Sequence, residues 1–274
     1  MIHTSGQKRV IITNVSPQVE EGKFPAKSAI HESFKISTDV FSDGHDEIAA
    51  SAFVKKITDT EWTEYPLHFV INDHWETTYK ATDTGVYEFK IEGWVDHYTT
   101  WKKGLKKKFD AGHDINVEIQ IGVELLEEAA SHNKANGVQL KSWASQLQSE
   151  NPAQAVVLAF STEISAAMYK HRHPNLITQY PTIYQFEVER KRAAFSTWYE
   201  LFPRSASEQP GEHGTFKDVA KLLPRVSRMG FDVLYFPPIH PIGENNRKGR
   251  NNSLTAEADD PGSPWAIGNH LGGH

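Results

Sequence analysis

The sequence contains no cysteine, so disulfides, thiolate chemistry and cysteine-based zinc sites are all excluded. It also lacks any apolar run near the roughly 20 residues that a bilayer-spanning helix needs. Residues 1–15 hold no apolar core suited to a signal peptide, so a cytoplasmic protein is expected. Strong charge of one sign is missing too. Lys and Arg number 29 against 35 Asp and Glu, a formal net charge of −6. That balance argues against general binding to nucleic acid or to an anionic membrane, which both favour a basic surface. No internal repeat of fixed period is visible.

What is present divides into three zones, and 274 residues are enough for two or three domains. In the first zone, Phe34, Ile36, Thr38 and Val40 alternate with Lys35, Ser37 and Asp39. Leu67, Phe69 and Ile71 alternate with His68, Val70 and Asn72, and Tyr87, Phe89 and Ile91 with Glu88, Lys90 and Glu92. A period of two puts one set on a buried face and the other in water. Turn signals at Ser42-Asp43-Gly44, Asn72-Asp73 and Thr84-Gly85 separate the runs. The pattern predicts an antiparallel β-sandwich over residues 1–94. Trp62, Trp75 and Trp94 are read as core fillers, with stacking on sugar rings as the alternative. Asp39, Asp43 and Asp46 lack the spacing and the glutamate of a calcium loop.

The period changes over residues 95–180. Tyr98, Trp101, Leu105 and Phe109 recur at helical spacing, as do Ile115, Ile119, Val123, Leu126 and Ala130. Leu140, Trp143, Ala144 and Leu147 form a third stripe, and Val156, Phe160, Ile164 and Met168 a fourth, so a bundle of four helices is expected. Gly112 ends the first helix in a left-handed turn, Asp114 caps the second, and Asn151-Pro152 opens the fourth. Lys102, Lys103, Lys106 and Lys107 on the first helix are read as a solvated face, with contact to phosphate or nucleic acid as the alternative. His171 and His173 are read as solvated. Period two returns at Tyr184, Phe186 and Val188. The sandwich therefore includes residues 181–194, with the bundle inserted between its penultimate and final strands. The bundle's broad apolar stripe makes it a candidate dimerisation element.

The third zone, residues 195–274, reads as strand, helix, strand. Residues 196–202 form a short apolar run ended by Pro203. Phe216, Val219, Leu222, Leu223, Val226 and Met229 follow at helical spacing, and Pro224 predicts a helix broken into two pieces. Gly230 stops the helix, and residues 231–236 form a second apolar strand before Pro237-Pro238. Such a unit opens a parallel sheet.

Here the residues carry a resemblance. The string from Trp198 through Tyr199, Glu200, Leu201, Phe202, Pro203 and Arg204 to Ser205 resembles the first barrel strand of the α-amylase superfamily. The string from Met229 to Pro238 resembles its second strand. Three further segments are similar to the bacterial α-1,4-glucan:maltose-1-phosphate maltosyltransferases: Ile239-His240-Pro241-Ile242-Gly243, Arg247-Lys248-Gly249-Arg250-Asn251-Asn252, and the stretch Asp260-Pro261-Gly262-Ser263-Pro264-Trp265-Ala266-Ile267-Gly268. The preceding sandwich with its inserted bundle also fits that family. The resemblance implies a (β/α)8 TIM barrel as the third domain. A barrel of that kind needs roughly 200 residues or more, so residues 195–274 are expected to hold only its first βαβ part.

The resemblance further implies transfer of maltosyl units from α-maltose 1-phosphate to the non-reducing end of an α-1,4-glucan, with retention. Retention needs two carboxyl groups about 5–5.5 Å apart, which in this superfamily stand on later barrel strands. No catalytic residue is therefore expected here, and the 274 residues are expected to be inactive alone. Asp259 and Asp260 are adjacent, but neighbours in a Pro-Gly loop diverge. By resemblance, Lys248 is the candidate contact for the donor phosphate, with Asn251 and Asn252 as further substrate-binding candidates; a solvated loop tip is the alternative. Arg247 or Arg250 could add a guanidinium fork. His240 either lines the cleft or braces the turn. His270 and His274 are not expected to bind zinc, and no metal or cofactor is expected. A homodimer is expected of the full-length protein. The competing readings are a glucan hydrolase or branching enzyme of the same superfamily, and a non-catalytic glucan-binding or dimerisation module. Lacking its neighbours, the barrel start after residue 195 is expected to expose apolar surface and to be mobile.

Overall fold

The structure, a computed structural model, describes residues 8–132, 137–170, 172 and 174–273. The chain divides into two compact units, one through Arg190 and the other from Lys191 onward, and both mix strands with helices.

Two sheets make up much of the first unit. The four-stranded sheet has the order β1 (Val10–Ser16), β3 (Phe34–Ser42), β7 (His74–Tyr79) and β6 (His68–Ile71). The six-stranded sheet has the order β2 (Ala26–Ala29), β10 (Tyr184–Glu189), β8 (Gly85–Val95), β4 (Ile48–Lys56) and β5 (Thr63–Pro66), and β9 (Thr178–Gln179) pairs with β8 off that path. Neighbours run antiparallel except β2 and β10, which are parallel. The alternations at residues 34–40 and 87–91 put their apolar members into one shared core. Phe34, Ile36 and Val40 meet Phe89, Ile91 and Phe186 there. The rings of Phe34 and Phe186, from different sheets, stack 4.0 Å apart. Thr38, the polar member of the buried set, donates its hydroxyl to the Thr13 carbonyl at 2.6 Å, which offsets its desolvation.

The alternation at residues 67–71 turns out differently. Leu67 is buried, but β6 is an edge strand and Phe69, Val70 and Ile71 are all exposed. The register with β7 shifts between Phe69 and Ile71, so a strict period of two does not persist there. The predicted turn does form: Asn72 and Asp73 both take left-handed backbone, with φ of 49° and 65°, as a two-residue hairpin turn demands.

Between β8 and β9 lie five helices among the described residues: α1 (His97–Asp110), α2 (Asn116–His132), α3 (Gly137–Ser149), α4 (Pro152–Ala159) and α5 (Thr162–Lys170). They share a core that includes Leu105, Ile115, Leu126, Leu140, Leu147 and Ile164. The expected signals operate. Gly112 has φ of 72°, the Asp114 carboxylate accepts from the Asn116 amide at 2.9 Å, and Asn151 accepts from the Gln154 amide at 3.1 Å with Pro152 in the first turn. The expected fourth helix is two. Phe160 closes α4, and the Ser161 hydroxyl accepts from the Ile164 amide at 3.3 Å, capping α5 afresh. The lysine face of α1 also needs correction. Lys102 is packed rather than solvated. Its ammonium donates to the Ser165 hydroxyl at 2.9 Å and lies over the rings of Tyr98 and Phe160, and burial pulls its pKa below the usual lysine value. Lys103 pairs with Glu47 and Lys106 with Asp110, both at 2.8 Å.

Of the three tryptophans, Trp94 is 2% exposed. Trp75 packs against the shared core and donates its indole N–H to the Val40 carbonyl. Trp62 lies outside that core, with Lys55 and Lys90 over its ring.

In the second unit, β11 (Trp198–Glu200) and β12 (Val233–Tyr235) form a parallel pair, joined through α7 (Phe216–Arg228) and preceded by the short α6 (Lys191–Ala194). Both strands are shorter than the apolar runs that announced them, and among the described residues each has a partner on one edge only. Pro224 does not break α7, which runs continuously through it. Pro224 and Ala220 both sit on the exposed side, where water can take the carbonyl that the missing amide leaves free. Gly230, at φ of 88°, then ends the helix.

Candidate functional site

The second unit carries a cleft of about 370 Å³ whose walls include Phe202, Arg204, Lys248, Asn251, Asn252 and Trp265. A second cleft of about 350 Å³ shares Phe202, Arg204 and Pro264 with it and adds His213 and His240. His240 is exposed and lines this second cleft. Short antiparallel bridges, Ile242 to Ile267 and Asn269 to Gly272, tie the long segment after β12 back on itself.

The basic residues of this segment have separate roles. Arg247 is a brace: Nε donates to the Gly243 carbonyl at 3.0 Å, while Nη1 and Nη2 reach the carbonyls of Asp260 and Ile242, each at 3.3 Å. Arg250 stands 3.6 Å from Asp259 and 3.4 Å from Asp260. Arg247 is thus engaged, whereas the Arg250 side chain is 79% exposed, makes no aligned hydrogen bond among the described residues and lines the same cleft. Lys248, between them, is half-buried in the wall of the cleft and has no carboxylate or hydrogen-bond partner among the described residues.

Asn251 and Asn252 follow in a tight 3-10 turn, both with left-handed backbone (φ of 50° and 65°), a conformation that asparagine tolerates better than most residues. The turn is closed by the Gly249 amide on the Ser253 carbonyl at 2.9 Å and the Ser253 amide on the Arg250 carbonyl at 3.1 Å. The structure thus brings Lys248, Asn251 and Asn252 into one wall.

Asp259 and Asp260 diverge as expected: the side chain of Asp259 is 77% exposed and that of Asp260 only 3%. Asp260 Oδ2 accepts from the Glu257 amide at 2.8 Å. Its Oδ1 meets Arg250 Nε at ion-pair distance without hydrogen-bond alignment, and so has no aligned donor.

Two residues of this region escaped the reading of the sequence as site-builders. Arg204, just past β11, lines both clefts and donates to the Gly262 carbonyl at 3.1 Å. Asp260 is the buried anchor of the loop. The signal for Arg204 was its place directly after a strand end and Pro203; Asp260 gave none, since sequence does not reveal which of two adjacent aspartates turns inward.

His270 is 3.3 Å from Glu244, while His171, His173 and His274 lie outside the described residues. Among the described residues no group of three His, Asp or Glu side chains could hold a metal ion, and no helix is long and apolar enough to cross a membrane.

Chemically, the cleft offers one compact cation with three N–H donors beside two amide side chains. That set suits a phosphate-sized anion attached to a polar body.

The fold and cleft describe a chain of mixed sheets and helices with a polar cleft in its second unit. Residues 8–190 match the family model described as alpha-1,4-glucan:maltose-1-phosphate maltosyltransferase, domain N/S, a span that ends where the first compact unit ends. The chain belongs to that family. It is 43% identical over 270 residues to the alpha-1,4-glucan:maltose-1-phosphate maltosyltransferase of Chlorobaculum tepidum, covering 98% of this chain and 40% of that protein. Proteins of the same name from Methylacidiphilum infernorum and Pseudomonas aeruginosa are each 41% identical, again over 98% of this chain and 40% of theirs. The chain spans about 40% of the length of the relatives it matches, and the similarity runs through the second unit.

Proposed function

We propose that this chain serves in a retaining maltosyltransferase that moves maltosyl units from α-maltose 1-phosphate to the non-reducing end of an α-1,4-glucan, with Lys248 as the contact for the donor phosphate. The observation that carries this reading is the half-buried Lys248, without a partner among the described residues, in the wall of the 370 Å³ cleft. A cation left without a carboxylate partner, beside an arginine braced on carbonyls and another facing two aspartates, suits an anionic ligand. Asn251 and Asn252 supply neutral donors to the sugar or to the phosphate rim. Membership of the family and the names of the relatives support the same donor and acceptor. A glucan hydrolase or branching enzyme has no use for a phosphate-directed lysine here.

In this reading the two sheets of the first unit are a β-sandwich, the five helices an inserted bundle, and β11-α7-β12 the opening of a (β/α)8 barrel. The bond-breaking carboxyl pair is not drawn from these residues, so the 274 residues alone release no phosphate from maltose 1-phosphate. The working protein is a cytoplasmic homodimer.

The test uses the full-length enzyme. Lys248→Ala should raise KM for maltose 1-phosphate by about 10- to 100-fold, while binding of plain maltose changes little. Equal losses for both ligands would remove the phosphate role.

A further inference from the structure

Lys248 has no hydrogen bond or ion pair among the described residues, so its position depends on its neighbours in the chain. Both lie against the same residue. On one side, Arg247 Nη1 donates to the Asp260 carbonyl at 3.3 Å. On the other, Gly249 packs so closely that an added Cβ would stand 3.1 Å from Asp260 Oδ2 and well inside contact distance of the Thr255 carbonyl. One residue further, Arg250 Nε lies 3.4 Å from Asp260 Oδ1. Asp260 is in turn fixed by a closed turn: its Oδ2 accepts from the Glu257 amide at 2.8 Å, and its own amide donates to the Glu257 carbonyl at 3.1 Å. A buried carboxylate oxygen without an aligned donor costs stability. Here that charge faces the cationic loop.

We propose that Asp260 is a positioning residue for donor-phosphate recognition: its carbonyl holds Arg247, its buried carboxylate backs Gly249 and faces Arg250, and together they hold Lys248 at the cleft. The proposal rests on the phosphate reading of Lys248. It adds that the anchor is an acidic residue outside the cleft's own lining, acting on the phosphate end of the donor and not on the maltosyl end.

The experiment compares two donors in the full-length enzyme: maltose 1-phosphate, and α-maltosyl fluoride, which carries the same maltosyl group without the phosphate. For Asp260→Ala the expected result is a rise of about tenfold in KM for maltose 1-phosphate, with kcat within about threefold and the fluoride donor far less affected, since loop displacement acts mainly on phosphate binding. Asp260→Asn keeps an acceptor for the Glu257 amide but removes the charge. It should show the same split at about threefold, and it carries the comparison if the alanine variant does not fold. Equal losses on both donors would make Asp260 a purely structural residue and overturn the proposal, as would an unchanged KM in both variants. Failure of the underlying reading looks different: the unmutated enzyme would then not use maltose 1-phosphate at all, or Lys248→Ala would not disturb it.

Discussion

The guanidinium of Arg172 lies over the indole of Trp94, its central carbon 4.1 Å from the ring centroid. Arg172 follows α5 and Trp94 is near the end of β8, so this stack joins the helical segment to the six-stranded sheet. Nη1 is 3.0 Å from Glu64 and donates to the Tyr169 carbonyl at 3.1 Å, while Nη2 is 3.9 Å from Glu92. Removing the arginine takes the cation from Glu64, which keeps only the Ser51 hydroxyl at 2.7 Å, and leaves Glu92 to Lys90 at 2.6 Å. Arg172→Ala should therefore destabilise the first unit by about 2–4 kcal/mol. Arg172→Lys keeps the charge but loses the planar stack, and should cost only about 1 kcal/mol. Urea unfolding followed by tryptophan fluorescence reads both, and equal stabilities for all three proteins would remove the seam role.

Gly122 on α2 faces the indole of Trp101 on α1. A Cβ there would fall well inside van der Waals contact of the ring, whose N–H donates to the Glu118 carbonyl at 2.6 Å. Helix propensity favours alanine over glycine by about 1 kcal/mol, but overpacking a filled site costs about 1–3 kcal/mol. The steric effect should win, so Gly122→Ala destabilises. Trp101→Ala opens the space but loses a buried ring, about 3–5 kcal/mol on its own. The double variant should be less unstable than the sum of the two, and thermal melts of all four proteins test this; additive losses would show that the two residues do not meet.

Asp218 in the first turn of α7 accepts from the Thr215 amide at 2.9 Å and the Thr215 hydroxyl at 2.8 Å. These hydrogen bonds, first the one from the amide, with Lys221 nearby, lower its pKa from the ordinary 3.8 to about 2. The unfolded chain therefore binds this proton more readily than the folded one. The cap's contribution is fully present above the unfolded value, declines as pH falls through it, and is gone below about 2. The Thr215 amide resonance should titrate with a midpoint near 2, and the titration should vanish in Asp218→Asn. A midpoint near the ordinary carboxylate value would show that the cap is not made in solution.

Much of the fold was legible because the strongest signals are local. The alternation of Phe34, Ile36 and Val40 and of Tyr87, Phe89 and Ile91 needs only a pleated backbone and a wet side opposite a dry one. Asn151-Pro152 and Gly112 act within a single turn of helix. The misreadings arose where a distant partner decides. Phe69 and Ile71 have the apolar alternation of a half-buried strand, yet they occupy a sheet edge, which no local pattern reveals. Val156, Phe160, Ile164 and Met168 keep one helical spacing, yet Ser161 between them caps α5. Lys102 sat among solvated lysines, but Ser165 and Phe160 come to it from α5 and its approach. At the site, the basic run at residues 247–250 was visible, but not the division of labour within it. That division depends on which cations the loop's own carbonyls and carboxylates already occupy.

The second unit should be the softer of the two. Its sheet has two short strands, and a lone pair of that kind is marginal in water without further strands or a covering layer. Trp198 is 59% exposed, and Phe195, Leu254 and Leu271 are more exposed still. In the first unit, β8 and β10 have neighbours on both edges and share a continuous core. Amide exchange on this chain should therefore be slower in β8 and β10 than in β11 and β12 by roughly 100-fold or more, the difference between subglobal and local opening. Pro224→Ala should narrow the gap within α7. The substitution restores a donor for the Ala220 carbonyl and is worth about 1–3 kcal/mol of helix stability on the exposed face. The gain should appear as slower exchange across residues 216–228 with β8 unchanged. Equal protection in the two units of the unsubstituted chain would mean that β11 and β12 are held by more than each other.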